Sequence, residues 1–151
     1  MGIENLFLGF QQALAHENLL YAAIGIMLGT IVGVLPGLGG ANGVAILWPL
    51  TLRMPPTSAI ILLTSLYWGA LFGGAITSIL FNIPGEPWSV ATTFDGYPMA
   101  RQGRSGQALT GAFTSSFIGA LFATVLITLF APLLADVALR LVRRKYFPFS
   151  Y

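Results

Sequence analysis

The 151-residue chain contains no cysteine and a single histidine, His16. The absence of cysteine excludes disulfides, thiolate metal sites and a cysteine nucleophile, and one histidine excludes a zinc site built from several. Charged residues make up only 8% of the chain, against about 25% in ordinary soluble domains. Residues 1–12 carry no Lys or Arg, so they lack the positive region of a cleaved signal peptide, and we expect the hydrophobic segments to be retained.

The few charges are also unevenly distributed. No charged residue occurs in 18–52, 54–85 or 105–135. A charge near the centre of a membrane helix costs about 2.5–3.5 kcal/mol on insertion scales, so three such gaps indicate an integral membrane protein. The net charge of +2 comes from a C-terminal cluster rather than from a basic stripe, and we therefore expect no nucleic-acid partner.

The apolar stretches predict an all-α fold, a polytopic membrane helix bundle with a Gly-rich broken or re-entrant segment. An 18-residue helix rises roughly 27 Å, which is just enough to cross a bilayer. Full spans are therefore predicted at about 19–36, 59–84 and 108–135. The apolar stretch 41–52 is too short to cross and is interpreted as a half-helix.

Two further segments flank the transmembrane domain, which we assign to 18–139. Apolar residues at helical spacing in 1–17 predict either an amphipathic helix lying in the membrane interface or the solvated start of the first span. The segment 140–151 forms a basic tail.

Glycines recur four residues apart within the predicted spans. Gly25, Gly29, Gly33 and Gly37 form one stripe in the first span, and the range 69–73 begins and ends with glycine in the second. Small residues at this spacing let helix backbones approach closely in a membrane. Each stripe therefore predicts tight packing against another helix.

A Gly-rich break interrupts the chain between the first span and the half-helix, where 36–43 holds one proline and four glycines. Unpaired backbone groups at membrane depth must face protein or a water-filled cavity. The amide end of a half-helix suits a carboxylate and its carbonyl end suits Na⁺, an arrangement that recurs in secondary transporters. The alternative interpretation is a flexible hinge or a tight packing turn.

A second break, Pro84-Gly85, follows Asn82 at the end of the next span, although such a pair is also ordinary helix punctuation. If both breaks bind ligand, they converge on one cavity. The candidate substrate- or ion-binding residues are Pro36, Gly37, Leu38, Gly39, Gly40, Asn42, Asn82, Pro84 and Gly85.

The region 86–104 is the longest polar stretch and is interpreted as a loop, with a turn at 95–98. The spans themselves contain no ionisable acid or base, since Glu86, Asp95 and Asp136 lie at their edges. An intramembrane enzyme needs an activated group, so we predict no catalytic residue, no metal and no cofactor.

Two long strings resemble a known family. GVLPGLGGANGVAILWPLT (33–51) and YWGALFGGAITSILFNIPGEPWSVATTFDGYPMARQG (67–103) contain a PGLGG break, an N-x-PG-E break and a DGYPMA loop. This ordered pattern, across roughly residues 5–140, resembles the large permease subunit of the tripartite tricarboxylate transporters, the TctA type.

The resemblance implies a multi-pass component of the bacterial inner membrane, acting with a small membrane subunit and a periplasmic substrate-binding protein. It implies uptake of tricarboxylates or related carboxylic acids by alternating access, with Na⁺ or H⁺ as the coupling ion. Family members are several times longer, so the chain corresponds to their N-terminal portion. The alternative is a truncated, non-transporting remnant or a helix-packing scaffold.

The positive-inside rule predicts the orientation of the two later spans. Arg53 and the four basic residues of 140–145 share one side, and the loop with Arg101 and Arg104 faces the other, so the C-terminal tail is cytoplasmic.

Because the chain has no cysteine, a single introduced cysteine shows whether its own position is accessible to a thiol reagent. We expect an impermeant maleimide to label Gln102→Cys in intact spheroplasts and Thr57→Cys only after permeabilisation; the reverse pattern would invert the topology.

Overall fold

The fold is entirely helical in the part of the chain that the structure, a computed structural model, describes: the backbone of residues 3–146 and the side chains of 7–131. This confirms the predicted all-α class. The elements are α1 (Ile3–Ala13), α2 (His16–Val34), α3 (Gly39–Thr51), α4 (Pro56–Phe81), a short 3₁₀ turn (Pro87–Ser89), α5 (Val90–Arg101) and α6 (Ser105–Tyr146).

Three helical segments are long and apolar enough to cross a membrane: His16–Val34, Pro56–Phe81 and Ser105–Ala131. Large apolar side chains on them, such as Met27 and Phe122, are exposed. Outward-facing apolar side chains suit a lipid environment, so the membrane assignment holds. The 13 residues of α3 rise only about 20 Å, less than the hydrocarbon core of about 30 Å.

The chain divides into two compact units, Met1–Ala112 and Phe113–Tyr151. In the first unit α4 supplies the centre, and its Leu66, Ala70 and Ile79 are fully buried. In the second unit, none of the side chains described from 113 to 131 is buried. The predicted basic tail, 140–151, lies outside the residues whose side chains are described.

The closest contact of the first unit joins the backbones of α2 and α4. A Cβ atom built on Gly25 would lie 2.6 Å from the carbonyl oxygen of Leu62. Cβ atoms built on Gly29 and Gly33 would likewise lie less than 3.0 Å from carbonyl oxygens of α4, which is closer than real Cβ atoms approach other heavy atoms. The glycines of α2 therefore permit an approach that no other residue allows.

The contact is reciprocal, because Gly69 and Gly73 of α4 face the carbonyl oxygens of Ile26 and Thr30 of α2 at similarly short range. The predicted packing role of both stripes is thus confirmed, with one correction. Gly37 lies beyond the end of α2, has a φ of +84°, and has nothing within 4 Å of its Cβ position.

A small polar cluster joins the starts of these two helices. Ser58 Oγ donates a hydrogen bond to Asn18 Oδ1 at 2.7 Å, and Asn18 Nδ2 donates to the carbonyl oxygen of Gln12 at 2.7 Å. Asn18 and Ser58 are both buried, so the cluster satisfies groups that would be costly to leave unpaired.

The prediction of a polar loop with a turn at 95–98 is wrong, because Val90–Arg101 forms α5. Gly96 packs on α4, where its Cβ would lie 2.7 Å from Ile79 Cγ1, and this contact favours a helix despite Pro98. The helix ends at Arg101 and is followed by a hydrogen-bonded turn in which Gly103 has a φ of +78°. In this turn the Gly103 N–H donates to the Ala100 oxygen and the Arg104 N–H donates to the Met99 oxygen.

We expect Gly29→Ala to destabilise the protein by about 1–3 kcal/mol, because its methyl group would overlap the Leu66 carbonyl and force α2 away from α4. Gly119→Ala is the matched control, since nothing lies within 4 Å of that position. Thermal unfolding in detergent measures both variants. Equal melting temperatures for Gly29→Ala and the unmodified protein would disprove the backbone contact.

Candidate functional site

Helix α3 begins at the Gly-rich break without a capping side chain from its own first turn. Leu38 occupies the N-cap position and offers no side-chain hydrogen bond, while Gly39 has a φ of +66°, a conformation suited to glycine. The first N–H groups of a helix lack intrahelical partners and carry partial positive charge. The start of α3 therefore needs an acceptor from elsewhere in the chain.

That acceptor is Glu86, whose side chain lies 46 positions further along the sequence. The backbone N–H of Gly40 donates a hydrogen bond to Glu86 Oε1, and Glu86 is only 4% exposed. A carboxylate at the N-terminus of a helix is favoured by both the hydrogen bond and the helix dipole. The structure thus places a carboxyl group at the amide end of the half-helix, and this group belongs to the protein.

The backbone of Glu86 is fixed by Ser89 in the 3₁₀ turn. The Glu86 N–H donates to Ser89 Oγ at 3.2 Å, and Ser89 Oγ donates to the Glu86 carbonyl oxygen at 2.7 Å. These contacts belong to a capping box, in which the Glu86 side chain also accepts from the backbone N–H of Ser89, so both the main chain and the side chain of Glu86 are held by the turn. Pro87 begins this turn, where its missing N–H is of no consequence.

The walls around this contact leave little space. A Cβ on Gly40 would lie 3.0 Å from Tyr67 Cδ2, 3.1 Å from Glu86 Oε1 and 3.2 Å from Ala70 Cβ. A Cβ on Gly39 would lie 3.6 Å from the Glu86 carboxyl group. An added methyl group at residue 40 would therefore require Tyr67, Glu86 and Ala70 to shift by a few tenths of an ångström.

The second break reaches the first because Gly85 fits between α2 and α4. A Cβ on Gly85 would collide with the carbonyl oxygen of Gly33 and lie 2.7 Å from the Cα of Gly74. The side chain of Glu86 also packs against Gly74, since its Cγ atom lies 3.5 Å from the Cβ position built on that glycine. The two interruptions of the chain therefore meet at one place.

The sequence-predicted site residues are divided between this place and the surface. Gly39 and Gly40 contact Glu86, Gly85 precedes it in a buried position, and Leu38 is half-buried beside them. Asn82 has a structural role, since it ends α4 in the left-handed conformation with a φ of 57°. The exposed members of the predicted set are Pro36, Gly37, Asn42, Asn82 and Pro84.

Glu86 is the residue of this contact that the sequence analysis missed, because it was assigned to a polar loop. A signal was present: Glu86 directly follows the Pro84-Gly85 break and ends a run of residues, 54–85, that contains no charge. An acidic residue at such a break has a ready partner in the unpaired amides of the other break.

The positive partner of Glu86 is a helix end rather than a basic side chain. Within residues 7–131 the arginines are Arg53, Arg101 and Arg104, and all three are exposed, whereas Glu86 is buried. Among the described residues, no group of three His, Cys, Asp or Glu is arranged to hold a metal ion. The contact at the start of α3 is therefore one protein carboxyl group held by the backbone N–H of Gly40.

A groove of about 340 Å³ lies between α3 and α4, and Tyr67 separates it from the Glu86 contact. Its lining is almost entirely apolar and includes Trp48 and Trp68, with Thr64 as a polar exception. Such a surface does not bind carboxylates, so the groove is not the candidate site.

The comparisons with known proteins point to one family. The profile of the tripartite tricarboxylate transporter TctA family matches residues 19–150. A relative from Agrobacterium vitis, described as an uncharacterised 52.8 kDa protein in the TAR-I ttuC′ 3′ region, is 47% identical over 145 residues. The alignment covers 96% of this chain and 29% of the relative's length. No solved structure matches the chain.

A double-mutant cycle tests the crowding at α3. We expect Gly40→Ala to lower the free energy of unfolding by about 1–3 kcal/mol, because its methyl group crowds Tyr67, Glu86 and Ala70. The penalty falls by about 0.5 kcal/mol when Gly40→Ala is made in a Glu86→Ala background, where one of these three contacts is gone. Fully additive effects, measured by denaturant unfolding in detergent, would show that the two residues do not interact.

Proposed function

Since this chain belongs to the tripartite tricarboxylate transporter TctA family, a family of membrane transporter components, we propose that it takes part in the uptake of tricarboxylates or related carboxylic acids. In this proposal it is the N-terminal part of the large permease subunit, in the inner membrane of a bacterium. The matched relative is more than three times as long, so the activity belongs to a whole of which this chain supplies one part.

The observation that carries the proposal is the amide end of α3, where a carboxylate is bound by Gly40 inside the packed first unit. A substrate carboxylate has the same charge and the same acceptor atoms as the Glu86 side chain. The amides that hold one are therefore suited to hold the other. The predicted substrate-binding residues Gly39, Gly40 and Gly85 surround this position.

The proposed mechanism is ion-coupled alternating access around the ends of half-helices, with Na⁺ or H⁺ as the coupling ion. Discontinuous helices of this kind form the substrate and ion sites of many secondary transporters. A small membrane subunit and a periplasmic binding protein complete the transporter in this proposal, and the chain itself performs no chemical reaction on its substrate.

A helix-packing scaffold or non-transporting remnant is the second candidate function. The reciprocal glycine contacts of α2 and α4 favour it, because they explain Gly29, Gly33, Gly69 and Gly73 without any ligand. The buried Glu86 side chain fits a scaffold too, in which it only caps the start of α3. The two candidates differ in whether substitutions at α3 change transport or only stability.

Uptake of radiolabelled citrate by cells that express the complete permease distinguishes them. We expect Gly39→Val to abolish uptake, since a β-branched residue is strained at a φ of +66° and moves the amide end of α3. We expect the same of Asn42→Ala, which removes a polar group from the first turn of α3. Both proteins should still reach the membrane fraction.

Gly106→Val is the control, because nothing lies within 4 Å of that glycine's Cβ position. Its uptake should match that of the unmodified permease. Normal uptake by both Gly39→Val and Asn42→Ala would remove the start of α3 from the transport site and leave the scaffold as the better explanation.

A further inference from the structure

The N-terminal helix α1 presents an apolar face that the described part of the chain leaves exposed. Phe7, Phe10 and Leu14 follow one another at steps of three and four residues, so they share one face of the helix, and all three are exposed. We infer that α1 lies in the plane of the membrane surface on the side of Arg53, with this apolar face inserted in the lipid leaflet. The inference is independent of the proposed transport function.

Helix α1 does not continue as the first turn of α2. Ala15, between the two helices, has a φ of −58° and a ψ of 139°, an extended conformation that turns the chain away from the axis of α2. Asn18 fixes this corner, because its Nδ2 donates to the carbonyl oxygen of Gln12 at 2.7 Å while its Oδ1 accepts from Ser58 at 2.7 Å. Helix α1 is therefore a separate element held at the start of the span rather than a solvated extension of it.

The side of the membrane on which α1 lies follows from the direction of the long helices. Gly25 of α2 faces Leu62 of α4, and Gly33 faces Ala70, so the two helices run parallel and begin at the same end of the first unit. The polar cluster of Asn18 joins these two starts. Because Arg53 closely precedes α4, α1 and Arg53 lie at the same membrane surface, which the positive-inside rule makes cytoplasmic.

Lipid is the occupant that the surroundings of this face favour. The apolar face of α1 is followed by Leu19 and Leu20 at the start of α2, which are also exposed and belong to a helix suited to cross the membrane. The apolar face of such a helix inserts about 5–10 Å into the boundary between headgroups and acyl chains. Residues 7–13 carry no charge, so burial of apolar surface holds α1 there, without attraction to anionic headgroups.

Spin labels on single introduced cysteines test this placement in the 151-residue chain, which has no cysteine of its own. Phe10→Cys places the label on the apolar face, and Gln12→Cys is the matched probe, about 200° further round the same helix. In phosphatidylcholine vesicles, we expect oxygen, which concentrates in lipid, to collide several-fold more often with the label at position 10. A water-soluble nickel chelate should show the reverse preference. Phe7→Cys repeats the measurement if Phe10→Cys does not fold.

Three results would disprove the lipid contact. Frequent collision of the nickel chelate with both labels would place α1 in water. Slow collision of both reagents at position 10 would mean that protein covers this face, including a second copy of the chain. A preference for oxygen that appears only when phosphatidylglycerol is added would assign the contact to headgroup charge.

The side of the membrane is tested separately with an impermeant maleimide in spheroplasts. We expect Gln12→Cys to react only after permeabilisation, as Thr57→Cys does, because both positions lie at the membrane surface of Arg53. If Gln12→Cys reacts in intact spheroplasts and Thr57→Cys does not, α1 lies at the opposite surface and the inference is wrong.

Discussion

The backbone contact between α2 and α4 is the constraint on which the rest of the first unit depends. Glycines on each helix face carbonyl oxygens of the other, so the two axes approach more closely than any larger residue allows. Gly33 and Gly74 belong to this contact region, and Gly85 fits between them. The spacing of the two long helices thereby fixes the position of Glu86 and the place where both chain breaks meet.

Glu86 and the start of α3 depend on each other. A helix end with unpaired amides is unfavourable away from water, and so is a buried carboxylate without a partner. Their hydrogen bond satisfies both groups at once, without a basic side chain.

Features that depend on residues close together in the sequence could be predicted, whereas features that depend on contacts between distant residues could not. The stripes of Gly25–Gly33 and Gly69–Gly73 were predicted correctly, because helical spacing alone shows which residues share a face. The α5 segment was not, since Gly96 and Pro98 favour a turn locally, whereas the segment forms a helix in which Gly96 packs against Ile79 of α4. The Gly40–Glu86 hydrogen bond was also missed, because no local pattern relates residues 46 positions apart.

The buried Glu86 fits a scaffold as well as a transporter. In either role it caps the start of α3, whose first amide groups would otherwise lie unpaired away from water. The glycines that bring α2 and α4 together also serve either role. Membership of the TctA family, a family of membrane transporter components, therefore carries the choice, and the close packing of the helices is the frame that positions the start of α3.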